Sequence, residues 1–244
     1  MFDRIVAYGC SLTSGFELAD TILTGKTQDE VDKIKRKGVE KYVDYLDSFG
    51  NRKELENSQS WVRWLADIKG VTYLNRAVEG GNSSSSIYFL EQDIANGVIK
   101  DTDLVIVAHT EYSRWFWLNN KGKAMHGCVG GSETRWPSKN FHRDFITYVA
   151  NDYNLVYQFY KDITYLENFK VKQIFCYNTF NKIKDRAGNI LPMINNVNSY
   201  KTIVDQDFSF DNVVDWNNKS HLHLYTHPKV EYHKKFAECL SLKI

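Results

Sequence analysis

Arg4-Ile5-Val6-Ala7-Tyr8-Gly9-Cys10-Ser11-Leu12-Thr13-Ser14-Gly15 is the stretch that decides how the rest of the chain is read. Ile5 to Tyr8 is a short apolar run of the kind that forms a buried strand. The run stops at Gly9, Gly15 follows, and between the glycines a hydroxyl, Ser11, falls where a strand turns into a helix. A serine there leans over the edge of a parallel sheet, near the unpaired backbone N–H groups of the next helix. That arrangement suits acyl transfer, provided the remaining chain supplies a base and further anion stabilisers.

The composition is compatible with such a scaffold. The 244 residues suit one large α/β domain, 43% of them are apolar and 25% charged, and the net charge of +1 offers no basic stripe for nucleic acid. No apolar run approaches the roughly 20 residues of a membrane helix. The start of the chain lacks a charged region followed by an apolar core and a small-residue cleavage site, so a cytoplasmic protein is expected. Cys10, Cys128, Cys176 and Cys239 are scattered without zinc spacing and read as reduced thiols.

Downstream, further strands are expected at Val71–Leu74, Asp103–Ala108 and Gln173–Tyr177. Helices are expected over Ser58–Lys69 with a serine cap, over Ile87–Asn96, as one or two segments over Phe141–Phe169, and over 227–243. The highly charged segment 26–57, with Val31, Ile34, Val39, Tyr42, Val43 and Leu46 at helical spacing, reads as a helical insertion over the sheet rim, either a solvated excursion or a lid. His109 to Pro137 reads as a long aromatic loop region, and Phe180 to Asp215 as irregular. Strands alternating with helices predict a parallel sheet covered on both faces, with ligands at the carboxyl ends of its strands. Ser11, the Asn75–Asn82 loop and the His109–Arg114 loop each follow a strand and so converge on one edge.

With these blocks in place, the chain resembles the SGNH (GDSL-type) hydrolases over most of its length. Gly9-Cys10-Ser11-Leu12-Thr13-Ser14-Gly15 matches the family's Gly-Asp-Ser-Leu-x-x-Gly, with Cys10 at the Asp position. Asn75-Arg76-Ala77-Val78-Glu79-Gly80 matches its Asn-x-x-x-x-Gly loop, and Thr226-His227-Pro228 its His-Pro before the last helix. The resemblance implies an α/β fold: a three-layer α/β/α domain spanning 1–244 with a mostly parallel five-stranded sheet, flavodoxin-like in order. It implies Ser11 as nucleophile, His227 as base, and Ser11 N–H and Gly80 N–H as oxyanion donors. Asn82, His109, Arg114 and Trp115, on the same converging loops, are candidates for substrate contact, and His109 is an alternative oxyanion donor.

Two departures stand out. The family's third oxyanion donor is an Asn after the third strand; here Ala108-His109-Thr110 puts Thr110 there, whose hydroxyl can still donate one hydrogen bond. A Thr at that point with Arg114 four residues on is similar to divergent SGNH-like proteins of tailed bacteriophages. Arg114 either binds an anionic substrate group or pairs with a structural carboxylate. The family's Asp three residues before the histidine is also missing, since that position is Leu224. Either a backbone carbonyl orients His227, leaving a dyad, or Asp211, Asp215 or Glu231 reaches it from elsewhere. His221 and His223, two apart on a possible strand, raise a metal reading, but no Cys or carboxylate stands at a recognised spacing and no metal or other cofactor is expected. Trp115, Trp117 and Trp136 flank the expected mouth and either stack on sugar rings or cover their own loops.

The expectation is therefore a serine ester hydrolase acting through an acyl-enzyme on a small-molecule or acylated-carbohydrate ester, with no nucleic-acid or membrane partner. Two alternatives stay open. One is an SGNH-fold binding or virion protein with a weak or inactive site, virion-associated if a phage encodes it. The other is an acyltransferase using the same residues.

Overall fold

The computed structural model describes residues 2–110, 114–122, 124–128, 140, 143–144, 161–162, 164–166, 168–169, 171–178, 202–205, 209–225 and 227–244, without the side chains of 39, 114, 124, 126–128, 178 and 202–205. The first strand, β1 (Arg4–Tyr8), is followed by a chain of helices: α1 (Ser11–Ser14), α2 (Asp20–Thr24), α3 (Gln28–Lys35), α4 (Val39–Asp47), α5 (Arg52–Gln59) and α6 (Trp61–Lys69). Then come β2 (Thr72–Asn75), α7 (Ser83–Ala95), β3 (Asp103–His109), β4 (Arg114–Leu118), β5 (Ala124–Cys128), β6 (Gln173–Asn178), β7 (Thr202–Asp205) and α8 (Val230–Ser241).

Among the described residues five strands make one sheet in the order β2-β1-β3-β6-β7, every neighbouring pair parallel. The chain leaves β1 toward β2 and returns on the other side to β3. The reversal lies between β1 and β3, so the loops after these two strands part and leave a crevice at their carboxyl ends. Ser11 and Thr110 follow those two strands.

The pleat sorts side chains onto two faces. Ile5, Ala7, Leu104, Ile106, Ala108, Phe175 and Tyr177 face α6 and α8, meeting Trp61, Leu65, Phe236 and Leu240. Val6, Tyr8, Val105, Val107, Ile174 and Cys176 face the opposite layer, with Ile87 and Leu90 of α7. β3 is buried at every position, which is why it reads as an unbroken apolar run. A separate small core of Phe16, Val31, Tyr42 and Leu46 forms where the 26–57 segment closes on the residues after α1. Among the described residues no helix is long and apolar enough to cross a membrane.

Several expectations are corrected. A single helix over 58–69 is instead two, broken at Ser60, whose extended ψ of 159° ends α5 and starts α6; Ser58 lies inside α5 and caps nothing. α7 begins at Ser83 rather than near Ile87, because Asn82 and Ser85 form a reciprocal cap that recruits the serine run into the first turn. Part of the supposed loop 109–137 is an antiparallel hairpin, β4 on β5. The region taken as irregular contains β7, the edge strand of the sheet. His221 ends a 3-10 turn rather than sharing a strand face with His223. Trp136, Thr226, the stretch 181–200 and most of the expected 141–169 helices lie outside the described residues.

The packing of α8 is testable. Phe236 is fully buried, stacks on Phe210 at 4.0 Å between ring centroids and also meets Trp61 and Tyr177. Phe236→Ala is expected to lower the free energy of unfolding in urea by about 3–5 kcal/mol.

Candidate active site

The turn that carries Ser11 is tight for local reasons. The carbonyl of Cys10 accepts from the N–H groups of both Thr13 and Ser14, at 3.0 Å each, so the chain curls at once after Gly9. A Cβ at Gly9 would lie 2.4 Å from Thr13 Oγ1 and 2.9 Å from Ala108 Cβ, so only glycine lets the curl sit against β3. Ser11 opens α1 with 8% of its surface exposed.

The other end of the chain arrives through a small loop closed by a bridge between Leu222 and Pro228. His223 N–H donates to the carbonyl of His227 at 2.8 Å, and Lys229 N–H to that of His221 at 3.0 Å. This loop sets His227 Nε2 2.8 Å from Ser11 Oγ. Its Nδ1 lies 2.8 Å from Glu17 Oε2. With Nδ1–H donating to the carboxylate, Nε2 is left to accept from the serine hydroxyl. Phe16 meets the imidazole edge-on at 5.1 Å between centroids, which limits its rotation.

Glu17 is thus the carboxylate that meets His227, in place of a residue three before the histidine. Asp211 instead accepts from the Trp216 indole N–H, Asp215 from Asn217 N–H, and Glu231 is exposed at the start of α8. Among the described residues Glu17 is the only non-glycine with a positive φ, 72°. Backbone held this way costs about 1–3 kcal/mol and persists only where its surroundings over-determine it.

Here those surroundings come mainly from the 26–57 segment. Lys35 Nζ, with no side-chain exposure, is 2.5 Å from Glu17 Oε1 and 2.6 Å from Asp20 Oδ2. Tyr42 OH donates to Asp20 Oδ1. Tyr225 N–H donates to Glu17 Oε1 at 3.3 Å, and Glu17 N–H donates to Glu56 Oε1 at 3.2 Å. Burial pushes the Glu17 carboxyl up, but the hydrogen bond and charge of His227 and the Lys35 ammonium outweigh it and hold the group below the usual range. Burial pushes Glu56 up to about 8, against the pull of Arg52. The segment expected as a solvated excursion or a lid therefore supplies the buried inner wall of the site.

The loop after β2 is hitched to the same turn. Arg76 N–H donates to Ala7 O at 2.8 Å, Val78 N–H to Gly9 O at 3.0 Å, and Asn75 Nδ2 to Thr13 O at 2.8 Å. Glu79 accepts from Arg52 Nη1 at 2.7 Å, which ties this loop to α5. Gly80, at φ 72°, sits within it. Thr110 is 4% exposed just past β3, and among the described residues its hydroxyl has no hydrogen-bond partner.

The remaining candidates are placed as follows. Asn82 is buried and caps α7, its Oδ1 accepting from Ser85 N–H at 2.8 Å. His109 ends β3, is 1% exposed, and burial lowers its pKa to about 3, so its ring is neutral. Arg114 opens β4 with its side chain outside the described residues, and Trp115 follows, half-buried. Among the described residues no group of three metal-ligating side chains comes together.

Sequence reasoning missed Glu17, Lys35, Asp20 and Tyr42. One signal was present: Phe16-Glu17-Leu18-Ala19-Asp20 sets two carboxylates inside an otherwise apolar run, which demands a buried cation.

No protein-family model matches the sequence, and no curated protein matches it. Solved structures do. A family two carbohydrate esterase from Clostridium thermocellum is matched with TM-score 0.50 and 13% identity, over 99% of this chain and 63% of that one. A carbohydrate esterase family 2 enzyme with a carbohydrate binding domain, from Corynascus thermopiles, is matched at 0.50 and 12%, over 99% and 65%. This chain thus spans about two thirds of the length of both. A member of the lipolytic protein G-D-S-L family from Veillonella parvula is matched at 0.48 and 12%, over 99% and 97%. The fold is of the SGNH hydrolase type.

Glu17→Gln keeps the shape but loses the charge and favours the wrong imidazole tautomer. It is expected to lower kcat on a chromogenic ester by about 10³–10⁴-fold. Gly9→Ala, which forces the turn away from β3, is expected to lower ester turnover and reactivity of Ser11 toward a fluorophosphonate together.

Proposed function

We propose that the protein is a serine ester hydrolase that works through an acyl-enzyme. The observation that carries this reading is the unbroken relay Ser11 Oγ–His227–Glu17, with both hydrogen bonds at 2.8 Å, at the carboxyl edge of the sheet. Ser11 Oγ attacks the ester carbonyl carbon while His227 Nε2 takes the hydroxyl proton. Glu17 stays ionised and stabilises the imidazolium. The carbonyl oxygen, now anionic, is received by Ser11 N–H, Gly80 N–H and the Thr110 hydroxyl. The C–O bond to the leaving alcohol breaks as His227 returns the proton to it. Water, deprotonated by the same imidazole, then attacks the acyl-enzyme, and the acid and free Ser11 are released.

The case for an inactive site rested on the missing acid and on Thr110 in place of Asn. Glu17 removes the first motive. The unpartnered Thr110 hydroxyl, buried beside the switch point, weakens the second, because a hydroxyl left without a partner in the resting protein is available to a developing oxyanion. For substrate class we favour an acylated carbohydrate. Trp115 and Trp117, two apart on β4, share one strand face a few residues beyond Thr110, and the two carbohydrate esterases share this fold. A sugar ring stacks on such faces through its C–H groups.

Labelling with a fluorophosphonate followed by peptide mapping tests the nucleophile, with modification expected on Ser11 and none in Ser11→Ala. Hydrolysis of p-nitrophenyl acetate is expected to fall at least about 10⁴-fold in Ser11→Ala. Equal, background-level rates in both proteins would remove the esterase reading. Acyl transfer to added sugars, in preference to water, would replace it by the transferase.

A further inference from the structure

The 26–57 segment brings a fully buried lysine to the far side of the acid, a group that neither the sequence blocks nor the reading above uses. Lys35 Nζ spans Glu17 Oε1 at 2.5 Å and Asp20 Oδ2 at 2.6 Å, and no side-chain atom of Lys35 reaches solvent. Its ammonium also lies over the Tyr42 ring at 5.2 Å and the Tyr225 ring at 5.9 Å. The Tyr225 hydroxyl donates to the carbonyl of Lys35 at 2.6 Å, locking the end of α3 to the loop that carries His227.

We infer that Lys35 and Asp20 are positioning residues that set the proton affinity of the His227–Glu17 pair, so that the 26–57 segment tunes the base rather than gating the pocket. The inference rests on His227 being the base of the proposed reaction. Its basis is the charge count in a water-poor pocket. Glu17 and Asp20 each bring one negative charge and Lys35 one positive, leaving one negative charge beside a neutral imidazole and none beside an imidazolium. The array is therefore neutral in the state that forms when Ser11 gives up its proton. Removing Lys35 leaves two carboxylates facing the imidazole, and the pair holds its proton more tightly. Removing the Asp20 charge leaves the ammonium unopposed, and the pair holds it less tightly.

Of the other groups facing this array, only Glu56 titrates near neutrality: burial pushes it up to about 8, so it adds its charge above the acidic limb that the test reads. Tyr42 from α4 donates its hydroxyl to Asp20, and Tyr225 donates its backbone N–H to Glu17. Glu56 from α5 accepts Glu17 N–H and is paired with Arg52, which also binds Asp47 and Glu79. His223, from the same loop as His227, is held neutral by burial.

The test is the pH dependence of kcat/KM on p-nitrophenyl acetate for wild type, Lys35→Met, Lys35→Arg and Asp20→Asn. A parallel NMR titration of the His227 imidazole needs no turnover. Lys35→Met is expected to move the acidic limb, and the imidazole titration, up by on the order of one pH unit, and Asp20→Asn to move both down by a similar amount. Lys35→Arg is expected to restore most of the wild-type position. Shifts in one direction for both variants, or no shift in folded protein, overturn the inference. If Lys35→Met does not fold, the direction of Asp20→Asn decides alone. A wild type that neither labels nor hydrolyses defeats the esterase reading, while the imidazole titration still judges the charge array.

Discussion

The structure depends on one carboxylate that has lost its water. Glu17 is fully buried, carries a strained left-handed backbone, and is held between an imidazole on one oxygen and an ammonium on the other. An isolated carboxylate there would take up a proton and lose its use. Lys35 and His227 prevent that, the first arriving from 18 residues on and the second from 210. Residues 11, 17, 35 and 227 therefore reach their working geometry together.

The surrounding ion pairs make sense in that light. Buried pairs are weak contributors to stability, because desolvation offsets much of their attraction. A pocket holding Lys35, Asp20, Glu17, Arg52 and Glu56 is thus a poor way to strengthen a fold but an effective way to keep one group charged and immobile. Arg52 extends the same logic sideways. It joins α5 to Glu79 in the loop that presents Gly80, so the acid and the proposed oxyanion loop share a support. The separate core of Phe16, Val31, Tyr42 and Leu46 gives that support its apolar footing.

Beneath it lies an SGNH-type sheet, whose order parts the chain between β1 and β3. The fold accounts for where a site forms, and not for how its acid is supplied. At 12–13% identity, the two carbohydrate esterases share the fold with this chain. Here the carboxylate that meets His227 sits just after α1 and draws its counter-charge from α3.

Much of the scaffold is legible in the sequence. The alternation of apolar runs and helical spacing identified β1, β2, β3, β6 and α8, since burial on two faces of a parallel sheet leaves its mark residue by residue. Ser11 and His227 were legible because a glycine-bounded turn and a His-Pro before a helix are local patterns, and the structure does bring the two side chains within hydrogen-bonding reach. The β4–β5 hairpin, β7 and the early start of α7 were not, because strand pairing and reciprocal capping outrank weak local preference. Nor was Glu17. A carboxylate among apolar neighbours announces only that some cation must meet it, and which one depends on how the 26–57 segment folds back. Local sequence determined the strand, the turn and the two side chains, Ser11 and His227, that meet there; the tertiary structure alone chose the carboxylate beside them and its counter-ion, because charge pairing inside a protein acts through space and is indifferent to separation along the chain.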